Sequence, residues 1–286
     1  MKRIVCTTLM VLGLAALAVA QGTTSGTASP SQLSTTSRHK APPAAKTPEE
    51  HTTYQAILTN PDLAAAEAAA KDFEAKYPQS ELCNPIYQNL MYRYQQTNNA
   101  AKTVEMGRKA LQFDPDNPMA LVTVGSVISE RTRPTDLDRD PRLAEAVKDA
   151  QHALDGMDGW LATAPGITDE QAQGVKPLLI SSSHAIMGMV ELTRRNPAGA
   201  EKHYRTSLDA NPANPDPVTL LRLALALDQQ TKYAEALTFA NRAVELSAPS
   251  GGVLNEWAKQ EQGRLAKLTG QTPAPAPQQP TAPPKP

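Results

Sequence analysis

SSSHAIMGMVELTRRNPAGAEKHYRTSLDANP, from Ser181 to Pro212, has room for two amphipathic helices and the turn between them. In the first helix His184, Met187, Gly188 and Glu191 fall at helical spacings of three, one and three. In the second, Ala200 and Tyr204 sit four apart, Ser207 follows after three more, and Pro212 closes the unit. Two helices of this length cannot bury their apolar stripes on each other alone. They require neighbours of the same kind.

Such neighbours flank the stretch on both sides. Downstream, a second unit opens 36 residues later, at Pro217 against Ser181, with Leu220, Leu223, Ala224 and Leu227 answered by Ala236, Ala240 and Ala243. Upstream, Asn84 to Pro115 places Tyr87, Leu90, Met91 and Tyr94 on one helix and Thr103, Gly107 and Ala110 on the next. Another unit starts 34 residues on, at Pro118, with Leu121, Val124, Gly125 and Ile128. Its second helix, carrying Ala146, Ala150 and Ala153, is delayed by the insertion ERTRPTDLDRDPR, Glu130 to Arg142.

This layout resembles the tetratricopeptide repeat over about Thr47 to Ala248. The resemblance implies an all-α fold, a right-handed superhelix (solenoid) of antiparallel helix pairs, and a scaffold rather than a catalyst. It also implies a concave groove lined by the first helices, for a protein or peptide partner. Carried over position by position, the groove residues are Gln88 and Tyr92, Val122 and Ser126, Ala185 and Met189, and Leu221 and Leu225. The cations with which some repeats of this kind clamp a peptide terminus are missing there, so the expected groove is apolar toward its C-terminal half. The competing reading is that Leu221 and Leu225 pack within a tightly wound array. Met91 departs from the pattern, because the family has a small residue where the two helices cross, and a methionine there demands repacking.

The expected boundaries follow from punctuation. Thr47 caps the first helix with Pro48 and Glu50 behind it, and repeats are expected at 47–83, 84–117, 118–158, 181–216 and 217–248. Gly156, Gly159, Pro165, Gly166, Gly174 and Pro177 break the phase, so 159–180 is expected as an irregular connector. It would hold either two short helices, from Thr168 and from Pro177, or one kinked helix. Residues 249–268 are expected as a capping helix in which Trp257, Leu265 and Leu268 cover the last repeat.

Both ends differ from the array in composition. MKRIVCTTLMVLGLAALAVA has the charge, apolar run and small terminal residues of a secretory signal, with cleavage expected before Gln21 and an uncleaved membrane anchor as the alternative. The leader 21–46 and the tail 269–286, QTPAPAPQQPTAPPKP from Gln271 on, lack large apolar side chains and are expected to be disordered. The chain is therefore expected to be exported, periplasmic or secreted.

Chemistry is sparse. The formal charge is −1, which offers nothing to a phosphate backbone, and no nucleic-acid partner is expected. The five histidines show no two-His helix motif, and only Cys6 and Cys83 are present, so no metal or cofactor site is predicted. Asp136, Asp138 and Asp140 alternate as in a calcium loop, yet Pro141 and Val147 stand where such a loop needs Gly and Glu. Ser181, Ser182 and Ser183 precede His184 too closely on one helix to make a nucleophile and its base. No catalytic residue is predicted.

Overall fold

Helix starts follow side-chain capping, in which a short polar residue accepts hydrogen bonds from the otherwise orphaned first N–H groups. Thr47 caps α1 (Pro48–Thr59) and Asp62 caps α2 (Leu63–Lys76). Asn99, Asn117, Asn196 and Asp216 do the same for α4 (Ala100–Phe113), α5 (Pro118–Arg131), α8 (Pro197–Ala210) and α9 (Pro217–Asp228). Thr168 and Gln171 form a reciprocal capping box at α7 (Asp169–Thr193). The remaining helices are α3 (Cys83–Gln96), α6 (Arg139–Thr163), α10 (Tyr233–Ser247) and α11 (Gly252–Thr269). This computed structural model describes residues 41–271, in which all regular structure is helical. The expected signal segment, most of the expected leader and the tail beyond 271 lie outside the described residues.

Each helix packs against the next in sequence, which makes the chain a solenoid of helix pairs. Three of the hairpin turns are built alike. Asn98, Arg195 and Thr231 each take a positive φ near 60°, and the residue after each sends its N–H back to the carbonyl five positions earlier. Side chains also touch at one-repeat separations. Glu67 meets Lys102 at 2.7 Å and Glu74 meets Lys109 at 3.1 Å, 35 residues apart in both cases. Each carboxylate also accepts from a tyrosine of α3, Glu67 from Tyr94 at 2.7 Å and Glu74 from Tyr87. Two Glu–Tyr–Lys triads, spaced by seven residues, thus staple α2, α3 and α4. Burial pushes the Glu67 carboxyl up, but bonds from Lys102, Lys71 and Tyr94 outweigh it and hold the pKa at about 2.

The helix crossings use small residues as expected, with one exchange. A Cβ on Gly188 would stand 2.6 Å from the Tyr204 ring. In the α3/α4 hairpin the small residue has moved to the facing helix. Met91 is fully buried, and a Cβ on Gly107 would lie 3.0 Å from its sulfur and 2.4 Å from Val124. The repacking that Met91 demands is provided by Gly107.

The span 159–180 differs from the irregular connector expected. It holds the end of α6, a turn over 164–168, and the first half of α7, which runs through Gly174 and Pro177 as one 25-residue helix. Each breaker weakens a helix locally, but packing of α6 on α7 buries Met157, Leu161, Ala164, Ile167 and Leu179, and that burial outweighs it. Pro177 forfeits only one helical hydrogen bond, to the Gln173 carbonyl. Trp160 donates its Nε1–H to Asp114 at 2.8 Å, tying this hairpin to the α4–α5 turn.

Two smaller expectations are also corrected. The last leader residues are seated on the fold: Ala45 packs against the α1–α4 core, and Pro42 lies beside Gly166. At the other end Leu265 is buried in the last repeat, but Leu268, 52% exposed, points to solvent.

Candidate interaction surface

The first helices of the hairpins, α3, α5, α7 and α9, carry the eight expected groove residues, and the structure sorts them into two sets. Gln88, Tyr92, Ala185, Met189 and Leu225 retain part of their exposure. Val122, Ser126 and Leu221 are buried, with 4%, 8% and 4% left. α5 is packed by α7 as well as by α6 and α4, and every residue from Pro118 to Ser126 is covered. These three are therefore parts of the core, not of an open surface.

Gln88 donates to the Tyr92 hydroxyl at 3.5 Å, and burial raises the Tyr92 phenol pKa. Farther along, Arg222 of α9 reaches past α7 to Glu130 at the end of α5, at 3.0 Å. Burial opposes the charge on Arg222, and Glu130 more than restores it, leaving the guanidinium pKa above its ordinary value. The side chains keep 18% and 23% exposure, so the pair is a bridge still reached by water. Beside it, the buried Tyr204 hydroxyl has no hydrogen-bond partner, nor has the buried Ser183 hydroxyl one turn into the second half of α7. Burial pushes the Tyr204 phenol up.

The Ser181–His184 run is dispersed. Ser181 Oγ pairs with Ser207 Oγ at 3.1 Å, Ser183 is buried, and His184 Nδ1 faces His203 Nδ1 at 3.2 Å. Nothing here brings a hydroxyl to an imidazole. Cys83 begins α3 as a buried small residue, its thiol pushed up by burial to about 11, far from reactive range. In the Asp136–Asp140 loop, Arg139 pairs with Asp140 at 2.7 Å, and Asp136 accepts from the Arg133 backbone. Sequence reasoning missed Glu130, Arg222 and the partner of His184. Glu130 and Arg222 lie 92 positions apart and His184 and His203 19, so neither pairing leaves a local signal.

A solved structure described as the functional characterization of Pseudomonas aeruginosa pilF is similar to this chain. The match has a TM-score of 0.52 at 20% identity and covers 78% of this chain and 86% of that one. The fold is a tetratricopeptide-like helical repeat. No protein-family model matches the chain, and no curated protein matches it. At such identity the likeness is one of fold. None of the described helices is long and apolar enough to cross a membrane.

Proposed function

We propose that the protein is an exported scaffold of a cell-envelope or secretion-related assembly, holding a partner segment on its concave face. The observation that supports this reading is the tandem presentation of first helices with Gln88, Tyr92, Ala185, Met189 and Leu225 still accessible to a partner. Apolar side chains contribute the area and Gln88 and Tyr92 the hydrogen-bonding groups. Full-length protein exposed to envelope extract and cross-linked should capture a defined species, and Met189→Lys with Leu225→Glu should abolish capture while circular dichroism is unchanged. Unchanged capture by a folded double variant overturns the groove. Export is tested separately, by sequencing the N-terminus of the secreted or periplasmic product, which should begin at Gln21.

The second reading is a tether whose groove holds nothing, and the Arg222–Glu130 bridge favours it by joining α5 to α9 across the face. Arg222→Met distinguishes the two. Under the scaffold reading, opening the bridge changes capture; under the tether reading, capture is indifferent to it.

A further inference from the structure

Where α11 ends, Gly270 takes a φ of 68°, in the left-handed region, and Gln271 sends its N–H back to the Ala266 carbonyl at 3.0 Å. That closure turns the chain off the helix axis. Gln271 thereby becomes one wall of a cleft of about 520 Å3 between the end of α11 and the start of α10. Leu268, 52% exposed, and the partly buried Tyr233 are its large apolar walls, with Thr231 and Ala234 beside them. We propose that this cleft is the seat of the chain's own proline-rich tail, with residues 273–277, Pro-Ala-Pro-Ala-Pro, lying on Tyr233 and Leu268.

Three observations choose this occupant. The first is continuity: Gln271 already lines the cleft, and Pro273 follows it within about 6 Å of extended polyproline chain. The second is charge. Lys232 and Glu235 stand at the rim with their charges taken up by Glu201 and Arg205, and residues 272–284 hold no charged side chain. A cleft with no free charge thus meets a neutral segment. The third is hydrogen bonding. Among the described residues the Tyr233 hydroxyl has no partner, and a polyproline II segment makes no internal hydrogen bonds, so each of its carbonyls is a free acceptor. Proline rings pack on aromatic side chains, which is how such segments are held in aromatic-lined grooves. The tether supplies what a small cleft lacks, an effective concentration on the order of millimolar, so a weak seat is still filled. The tail then covers the leucine that α11 leaves in solvent.

Backbone relaxation of the isotope-labelled full-length protein reads the tail directly. Ala274 and Ala276 should have order parameters above about 0.6 and above that of Ala282, and the Tyr233 ring protons should show nuclear Overhauser contacts to proline Hδ. Leu268→Gln, at a position too exposed to disturb folding, and Tyr233→Ala should each bring Ala274 and Ala276 down to the level of Ala282. Tyr233→Phe, which removes only the hydroxyl, should do so in part. The wild-type values decide even where Tyr233→Ala fails to fold. Three results overturn the proposal: Ala274 and Ala276 no more ordered than Ala282, order that survives in Leu268→Gln and in folded Tyr233→Ala, or order lost on dilution, the mark of a second copy's tail.

Discussion

The α3/α4 and α7/α8 hairpins solve one packing problem with opposite assignments. In α7/α8 the first helix supplies the gap, Gly188, and the second the filler, Tyr204. In α3/α4 the first helix supplies the filler, Met91, and the second the gap, Gly107. What the crossing requires is a complementary pair, one large and one absent side chain. Which helix carries which is free, and this explains how a residue that looks like a violation in one helix sits in a fully buried crossing.

The largest way to break that symmetry is to leave a gap facing a gap. Met91→Ala beside Gly107 leaves a cavity bordered by Val124 and should cost about 3 kcal/mol in urea unfolding. Filling the gap in the other hairpin comes next. Gly188→Ala drives a methyl into the Tyr204 ring and should cost about 2 kcal/mol, even though alanine favours helix. At Gly263 of α11 a Cβ meets nothing within 4 Å, so Gly263→Ala should reverse the sign and stabilise by about 1 kcal/mol. Equal signs at positions 188 and 263 would show that the glycines are not spacers. Thr231→Gly relieves a β-branched residue held at φ 60° and should also stabilise, by at most about 1 kcal/mol.

Acid sharpens the comparison, because the two hairpins are pinned by groups of different kinds. His184 and His203 have lowered pKa values, so the unfolded chain takes up protons first, near its ordinary value of about 6.5. The α7/α8 seam is thus fully stabilised above that pH and weakens as pH falls below it. Glu67 is held at about 2 against an unfolded value of about 4.3, so its contribution stays complete down to about 4.3 and fades below. Amide exchange at pH 5.5 should therefore quicken in α7 and α8 before it quickens in α2, α3 and α4. Simultaneous loss of protection, or the reverse order, would show that other groups control the acid response.

Much of the fold was legible because it is written locally. Thr47 announces the first helix start through its own side chain, and the 34- and 36-residue spacings announce stacking. For 159–180 the sequence could not choose between two short helices and one long one, because each Gly and Pro carries a helix penalty visible in sequence, whereas the burial of Leu161, Ile167 and Leu179 that favours the long helix depends on the partner helix. For the candidate partner-binding residues, positions carried over from a repeat pattern could not tell that packing would bury Val122, Ser126 and Leu221. Arg222 and Glu130 left no trace, since an ion pair between distant helices has no spacing rule.

The continuity of α7 decides where the chain can be cut. Its first half rests on α6 and its second on α8, so a break between residues 180 and 181 would split a helix and deprive both fragments of a supporting wall. Proteases should instead find the exposed 133–138 turn, where Leu137 stands wholly in solvent. A nick there leaves two pieces that remain clasped through α5 and α7, migrating as one particle until denatured.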